Sequence, residues 1–151
     1  MQAIYNKQAK FNYEFLEKFE AGLELKGYEV KSIKNGLINL KGSFVSFEKI
    51  GKPELFLKKA HVSKYKPAGD MPDYDPERPR KLLITKTEIK KLLGKLEQKG
   101  LTIVPIKVYT KRNLIKLEFA LARGKKQYEK KEDLKKKDVE KQIHRTLKYQ
   151  N

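Results

Sequence analysis

Large apolar side chains are plentiful up to residue 122 and scarce after it, and this bounds what the chain can fold into. Residues 123–151 offer only Tyr128, Leu134, Val139, Ile143, Leu147 and Tyr149 as sizeable apolar groups, among eleven Lys/Arg and five Asp/Glu. Such a segment buries too little to offset the entropy of ordering it alone. One core is therefore expected from 1–122, with a boundary near Ala122–Gly124 and a basic tail over 123–151. No internal repeat is evident.

Within 1–122 the patterning is mixed. Phe11, Phe15, Leu16 and Phe19 recur at helical spacing before Gly22, which predicts a first helix. Thr85-Lys-Thr-Glu88 has the form of a capping box, and Ile89, Leu92, Leu93 and Leu96 follow as an apolar stripe, with Gly100 placed to end the helix. Ile115, Leu117, Phe119 and Leu121 alternate with Lys116, Glu118 and Ala120, the pattern of a strand with one wet face. The β-branched run Leu101–Thr110 precedes it, joined by a turn at Thr110-Lys-Arg-Asn113, and Pro105 requires a bulge or an edge there. Leu23–Ile33, Gly42–Glu48 and Glu54–Val62 also read as strands, the first bent at Gly27 by a bulge. Ser63–Arg80, with four prolines, reads as a long loop. Several short antiparallel strands with a bend fit a small closed barrel.

The charge narrows the function. Thirty-six Lys/Arg against nineteen Asp/Glu leave a formal charge of +17, which makes a polyanion the first partner to consider. There is no cysteine, which excludes disulfides, thiolate metal sites and thiol nucleophiles, and His61 and His144 are too few and too far apart for a metal site. No cofactor and no metal are expected. The longest apolar runs fall far short of a membrane span and Met1–Lys10 has no apolar signal core, so a cytoplasmic monomer away from membranes is expected. The sequence has no P-loop, nucleophile elbow or HExxH, and most carboxylates interleave with lysines. A ribosomal or tRNA-binding module ranks first on these grounds. An RNA-processing enzyme using acidic residues and Mg²⁺ ranks second.

An ordered series of short motifs carries a family resemblance: Asn6-Lys7-x-Ala9 with Tyr13, Phe19-Glu-Ala-Gly-Leu23, Gly27-x-Glu-Val-Lys-Ser32, Arg80-Lys-Leu-Leu83, Gly94-Lys95, Gly100-x-Thr-Ile-Val-Pro105, Lys107-x-Tyr109 and Ala120-Leu-Ala-x-Gly-Lys-Lys126. Each is weak alone, but in this order the series resembles the SmpB family, whose members are the protein partners of transfer-messenger RNA (the SsrA RNA). The resemblance implies an antiparallel barrel of six to eight strands of the oligonucleotide-binding (OB) type, with three helices. It implies a non-enzymatic RNA-binding protein that holds the tRNA-like domain of transfer-messenger RNA and delivers it to stalled ribosomes for trans-translation. It also implies a tail, disordered when free, that becomes helical in the empty mRNA channel beyond the decoding centre. The chain departs from the family in that tail: Glu129-Lys130-Lys131 stands where Asp-Lys-Arg is common, and Val139 where a tryptophan is common.

Carried onto this sequence, the resemblance implies RNA contacts at Asn6, Lys7, Glu20, Lys31, Lys116, Lys125 and Lys126, and ribosome contacts at Tyr128, Lys130, Lys131, Val139, Ile143 and Leu147. Each has a plainer reading. Lys116 could simply protect a sheet surface from pairing, Asn6 and Lys7 could be a flexible start, and Glu20 and Glu29 could be solvated or salt-bridged. A carboxylate facing phosphates alone is repelled, so Glu20 is better suited to fixing a neighbouring lysine than to meeting RNA directly. Tyr128 stands among lysines outside the core, which suits a base-stacking group. Val139, Ile143 and Leu147 share one helical stripe among basic residues, too thin to suit a membrane surface. Folding on rRNA accounts for those basic residues better.

Overall fold

The computed structural model describes residues 1–98 and 100–149. Its elements run β1 (Ile4–Tyr5), α1 (Lys7–Asn12), β2 (Tyr13–Leu23), α2 (Gly27–Lys34), β3 (Ile38–Asn39), β4 (Phe44–Ile50), β5 (Lys52–Lys58), β6 (His61–Val62), β7 (Arg80–Leu83), α3 (Lys86–Leu96), β8 (Leu101–Lys111), β9 (Leu114–Gly124) and α4 (Gln127–Tyr149). Seven strands form one antiparallel sheet in the order β1-β8-β9-β2-β7-β5-β4, and β3 pairs with β6 separately. The sheet curls until β4, at one edge, packs beside β8 near the other. A β-rich architecture with helices is as the sequence led us to expect.

Two of the three eleven-residue strands form the β8–β9 hairpin, closed by Arg112 and Asn113 with φ of 53° and 63°. Two residues of positive φ match the right-handed twist of the flanking strands. A bulge falls between Pro105 and Lys107, where a residue without an N–H was expected to require one. Leu117, Phe119, Val108 and Leu57 are fully buried in the core, and Phe19 stacks on Phe119 at 5.6 Å. Ile89 and Leu92 of α3 join that core. Thr85 accepts a hydrogen bond from the Glu88 N–H, which is the threonine half of the expected capping box.

Two expected elements are otherwise. Phe15, Leu16 and Phe19 lie in strand β2, not in a helix; only α1, which ends at Asn12, is helical there. A bulge between Phe15 and Glu17 is the physical reason. It shifts the two-residue alternation by one, so Phe15 faces the small cluster of Ala9, Val104 and Ala122 while Phe19 faces the main core. The result imitates a helical spacing. Likewise Gly27 opens helix α2 and does not bend a strand. The buried face of α2 is Glu29, Ser32 and Ile33, two of them polar, so its helical period is hidden from an apolar count.

Glu29 is held by the segment read as a long loop. It is fully buried with Arg80, whose Nε and Nη2 donate to it at 2.7 and 2.5 Å. Arg78 and the Lys26 N–H also donate to Glu29. Arg80 further donates to the carbonyls of Ala60, Pro76 and Arg78. Of the two plain alternatives for Glu29, solvated or salt-bridged, the second is what the fold uses.

Candidate nucleic-acid interface

The outer surface of β2, β8 and β9 divides into two ends. At one end α1 covers Val104 and Ala122 through Ala9. At the other end Lys116, Glu118, Glu20, Lys107 and Tyr109 point outward, opposite in alternation to the buried Leu117, Phe119 and Val108. The β8 bulge matters here. It restores Lys107 and Tyr109 to the outer face, which an unbroken alternation from Pro105 would deny them.

Lys116 occupies the centre of this open end. It stands opposite Gly22 on one neighbouring strand and Tyr109 on the other. Gly22 stands in turn opposite Leu83 of β7. A Cβ at position 22 would lie 3.3 Å from the Leu83 Cβ, so the glycine admits that leucine at close range. Leu83 is 53% exposed, as are to a similar degree Leu16 of β2 and Leu114 of β9. Lysine, glycine and exposed leucine thus form a strip across three strands.

Glu20 is the electrostatic hinge of the surface. It accepts hydrogen bonds from the Tyr109 hydroxyl and from Lys111 Nζ at 3.4 Å. The Tyr109 bond, with Lys111 and Lys116 nearby, holds the Glu20 carboxyl below its ordinary range against the opposing effect of burial. Burial and the Glu20 carboxylate together push the Tyr109 phenol well above its ordinary value, so it remains a neutral donor. Lys107 Nζ lies 5.2 Å from the Tyr109 ring centroid and 5.7 Å from that of Tyr5. Aromatic rings, lysines and an exposed leucine suit a polyanion that also presents planar apolar faces.

The other expected site residues are dispersed. Asn6 donates its side-chain amide to the Pro105 carbonyl at 3.0 Å and its N–H to Ile106 at 2.7 Å, so it satisfies the carbonyls of the bulge. Lys7 is exposed at the start of α1. Lys31 lies exposed on α2, its Nζ 5.6 Å from the Tyr65 ring centroid. Lys125 is turned inward, donating to the Lys10 carbonyl at 3.0 Å and paired with Asp133. Lys126 and Lys131 are exposed and Lys130 half-buried. Tyr128, Val139 and Ile143 are exposed on α4; Leu147 lies in its last turns, and its side chain is outside the described residues. The structure therefore brings Glu20 and Lys116 together and leaves the rest at α1, α2 and the root of the tail.

Sequence reasoning did not single out Leu83, Tyr5, Lys107 or Tyr109 as contacts. The Lys107-x-Tyr109 spacing was a usable signal, since residues two apart on a strand share a face. Leu83 gave none, because a leucine in Arg-Lys-Leu-Leu reads as core. Among the described residues no group of three or more His, Asp or Glu side chains could hold a metal ion, and no helix is long and apolar enough to cross a membrane.

Comparison with known proteins gives the chain's relatives. The family model described as SmpB protein matches residues 3–149. A protein named SsrA-binding protein from Acaryochloris marina is 50% identical over 143 residues, spanning 95% of this chain and 91% of its own. One of the same name from Trichodesmium erythraeum is 46% identical, spanning 95% and 90%. A chain in a solved structure described as "tmRNA-SmpB: a journey to the center of the bacterial ribosome" superposes with a TM-score of 0.66 at 46% identity, over 83% of this chain and 85% of that one.

Proposed function

The chain belongs to the SmpB family, and we propose that its open sheet end grips the tRNA-like domain of transfer-messenger RNA while its tail acts on the ribosome. It is an RNA-binding factor of trans-translation, which brings that RNA to stalled ribosomes. The observation that carries the assignment to this surface is the strip of Lys116, Gly22 and exposed Leu83 flanked by the Tyr109–Glu20 pair. Lys116 supplies charge to phosphates, Leu83 an apolar contact, and Glu20 immobilises Tyr109 and Lys111. No residue here performs covalent chemistry, and the protein acts by binding alone in the cytoplasm.

The tail reads the vacancy of the mRNA channel. That channel is walled by rRNA phosphates, so a segment with eleven Lys/Arg enters only where the anionic mRNA is missing. Val139 and Ile143, exposed on α4, are then covered by the channel, and Tyr128 meets the decoding bases. The test is a gel-shift titration against transfer-messenger RNA with bulk tRNA as competitor. Specific, salt-sensitive binding is expected, and equal displacement by bulk tRNA would overturn the assignment.

A further inference from the structure

We infer that Tyr5 is a stacking platform for an unpaired RNA base, with Lys107 beside it to meet the adjoining phosphate. The inference rests on the reading that the open sheet end binds RNA, and it adds a contact that neither charge nor motif supplies. Tyr5 ends β1, the two-residue edge of the main sheet, directly opposite Lys107. Its neighbour Ile4 packs on the core, so the strand is anchored from its inner side and Tyr5 is free to serve the outer one.

Three observations separate Tyr5 from a tyrosine used for packing. It is 57% exposed, whereas a packing ring is covered. It belongs to an edge strand, so β8 adjoins it on one side and no strand on the other. Its hydroxyl has no hydrogen-bond partner among the described residues, in contrast to Tyr109, whose hydroxyl is bound by Glu20. Lys107 Nζ lies within cation–π range of both rings. A base on the uncovered face of Tyr5 would join this group of two rings and a cation, and the lysine would stand next to that nucleotide's phosphate. Stacking tolerates any base, so the ligand class is an unpaired or frayed nucleotide without sequence preference.

The test measures binding of the tRNA-like domain across a salt series, with melting temperature in parallel, for Tyr5→Ala, Tyr5→Leu, Tyr5→Trp and Lys116→Ala. Tyr5→Ala should weaken binding about 5- to 100-fold with the salt slope unchanged, because no phosphate contact is lost. Tyr5→Leu keeps the bulk without the π-face and should be as weak as alanine, whereas Tyr5→Trp should restore binding. Lys116→Ala should weaken binding and reduce the salt slope by about one. If Tyr5→Leu binds like the natural protein, or Tyr5→Ala is silent while Lys116→Ala is not, stacking is refuted and the RNA surface stands. If Lys116→Ala is silent too, the surface itself is misassigned and the inference falls with it.

Discussion

Replacing Glu29 by glutamine tests the buried ion pair that fastens the 63–80 segment to α2. The change keeps shape and one acceptor oxygen but removes the charge. Both carboxylate oxygens are in use: one accepts from Arg78 and the Lys26 N–H, the other from Arg80. A glutamine amide would turn an N–H toward one of these donor sets. Arg80, fully buried, would keep the carbonyls of Ala60, Pro76 and Arg78 and the Tyr74 hydroxyl for its cation, none of them charged. Removing one partner of a buried pair typically costs about 3–5 kcal/mol, and those remaining acceptors place this site at the lower end, about 3 kcal/mol. With a urea slope of roughly 2 kcal/mol per molar, the unfolding midpoint should fall by about 1.5 M. RNA affinity of the folded protein should not change, since Glu29 reaches no surface.

Acid supplies an independent check. Burial works to raise the Glu29 pKa, but hydrogen bonds from Arg78, Lys26 and Arg80 outweigh it and hold the value below the ordinary 4.5. A depressed carboxylate pKa contributes stability above the unfolded value and loses it as pH falls through the folded one. The gap between the natural protein and Glu29→Gln should therefore be widest at neutral pH and shrink below pH 4.5. A loss under about 1 kcal/mol at neutral pH, or a gap that grows on acidification, would refute the reasoning.

Four further outcomes are expected. Leu117→Ala should lower stability by about 2–5 kcal/mol in denaturant unfolding by opening a cavity at a fully buried site, while the folded fraction binds RNA normally. Leu83→Ser should leave the melting temperature within a degree or two and weaken RNA binding in a filter assay, because its side chain is largely exposed. Ending the chain after Lys126 spares the Tyr13–Gly124 pairing and the Lys125–Asn12 hydrogen bond, so gel shifts should show most of the RNA affinity retained, with peptide tagging lost. Replacing Ile143 and Leu147 together by aspartate should leave RNA binding and co-sedimentation with stalled ribosomes near normal and abolish tag incorporation.

What could be read in the sequence was whatever depended on local chemistry. The α3 cap, the β8–β9 turn and the bulge after Pro105 each follow from a backbone requirement of two to four neighbouring residues. Elements whose signal was set by distant partners were misread. A single extra residue in β2 gave its phenylalanines a helical spacing, and α2 buries Glu29 and Ser32 because Arg80 and the Ser63 carbonyl, far along the chain, satisfy them. The site follows the same division. Lys116 and Glu20 were legible by alternation and motif, but the exposure of Leu83 depends on Gly22 in another strand, and that of Tyr5 on an edge two residues long.

The length of β9 relates the two halves of the proposed function. Lys116 lies near one end of the strand and Gly124, where the tail begins, closes the other. At about 3.3 Å per residue these eight steps span roughly 26 Å. Along that path the strand is paired on both sides, to β2 and β8, and its core side chains are fully buried. The open sheet end and the root of α4 are then separated by that strand, and the Lys125–Asp133 pair with the Lys125–Lys10 bond sets where α4 departs. Charge alone would let a basic tail attach at any anionic surface. On the proposed reading, a spacer of this kind confines it to surfaces lying at one distance from the bound RNA, and the sheet is then the element that selects where the tail can act.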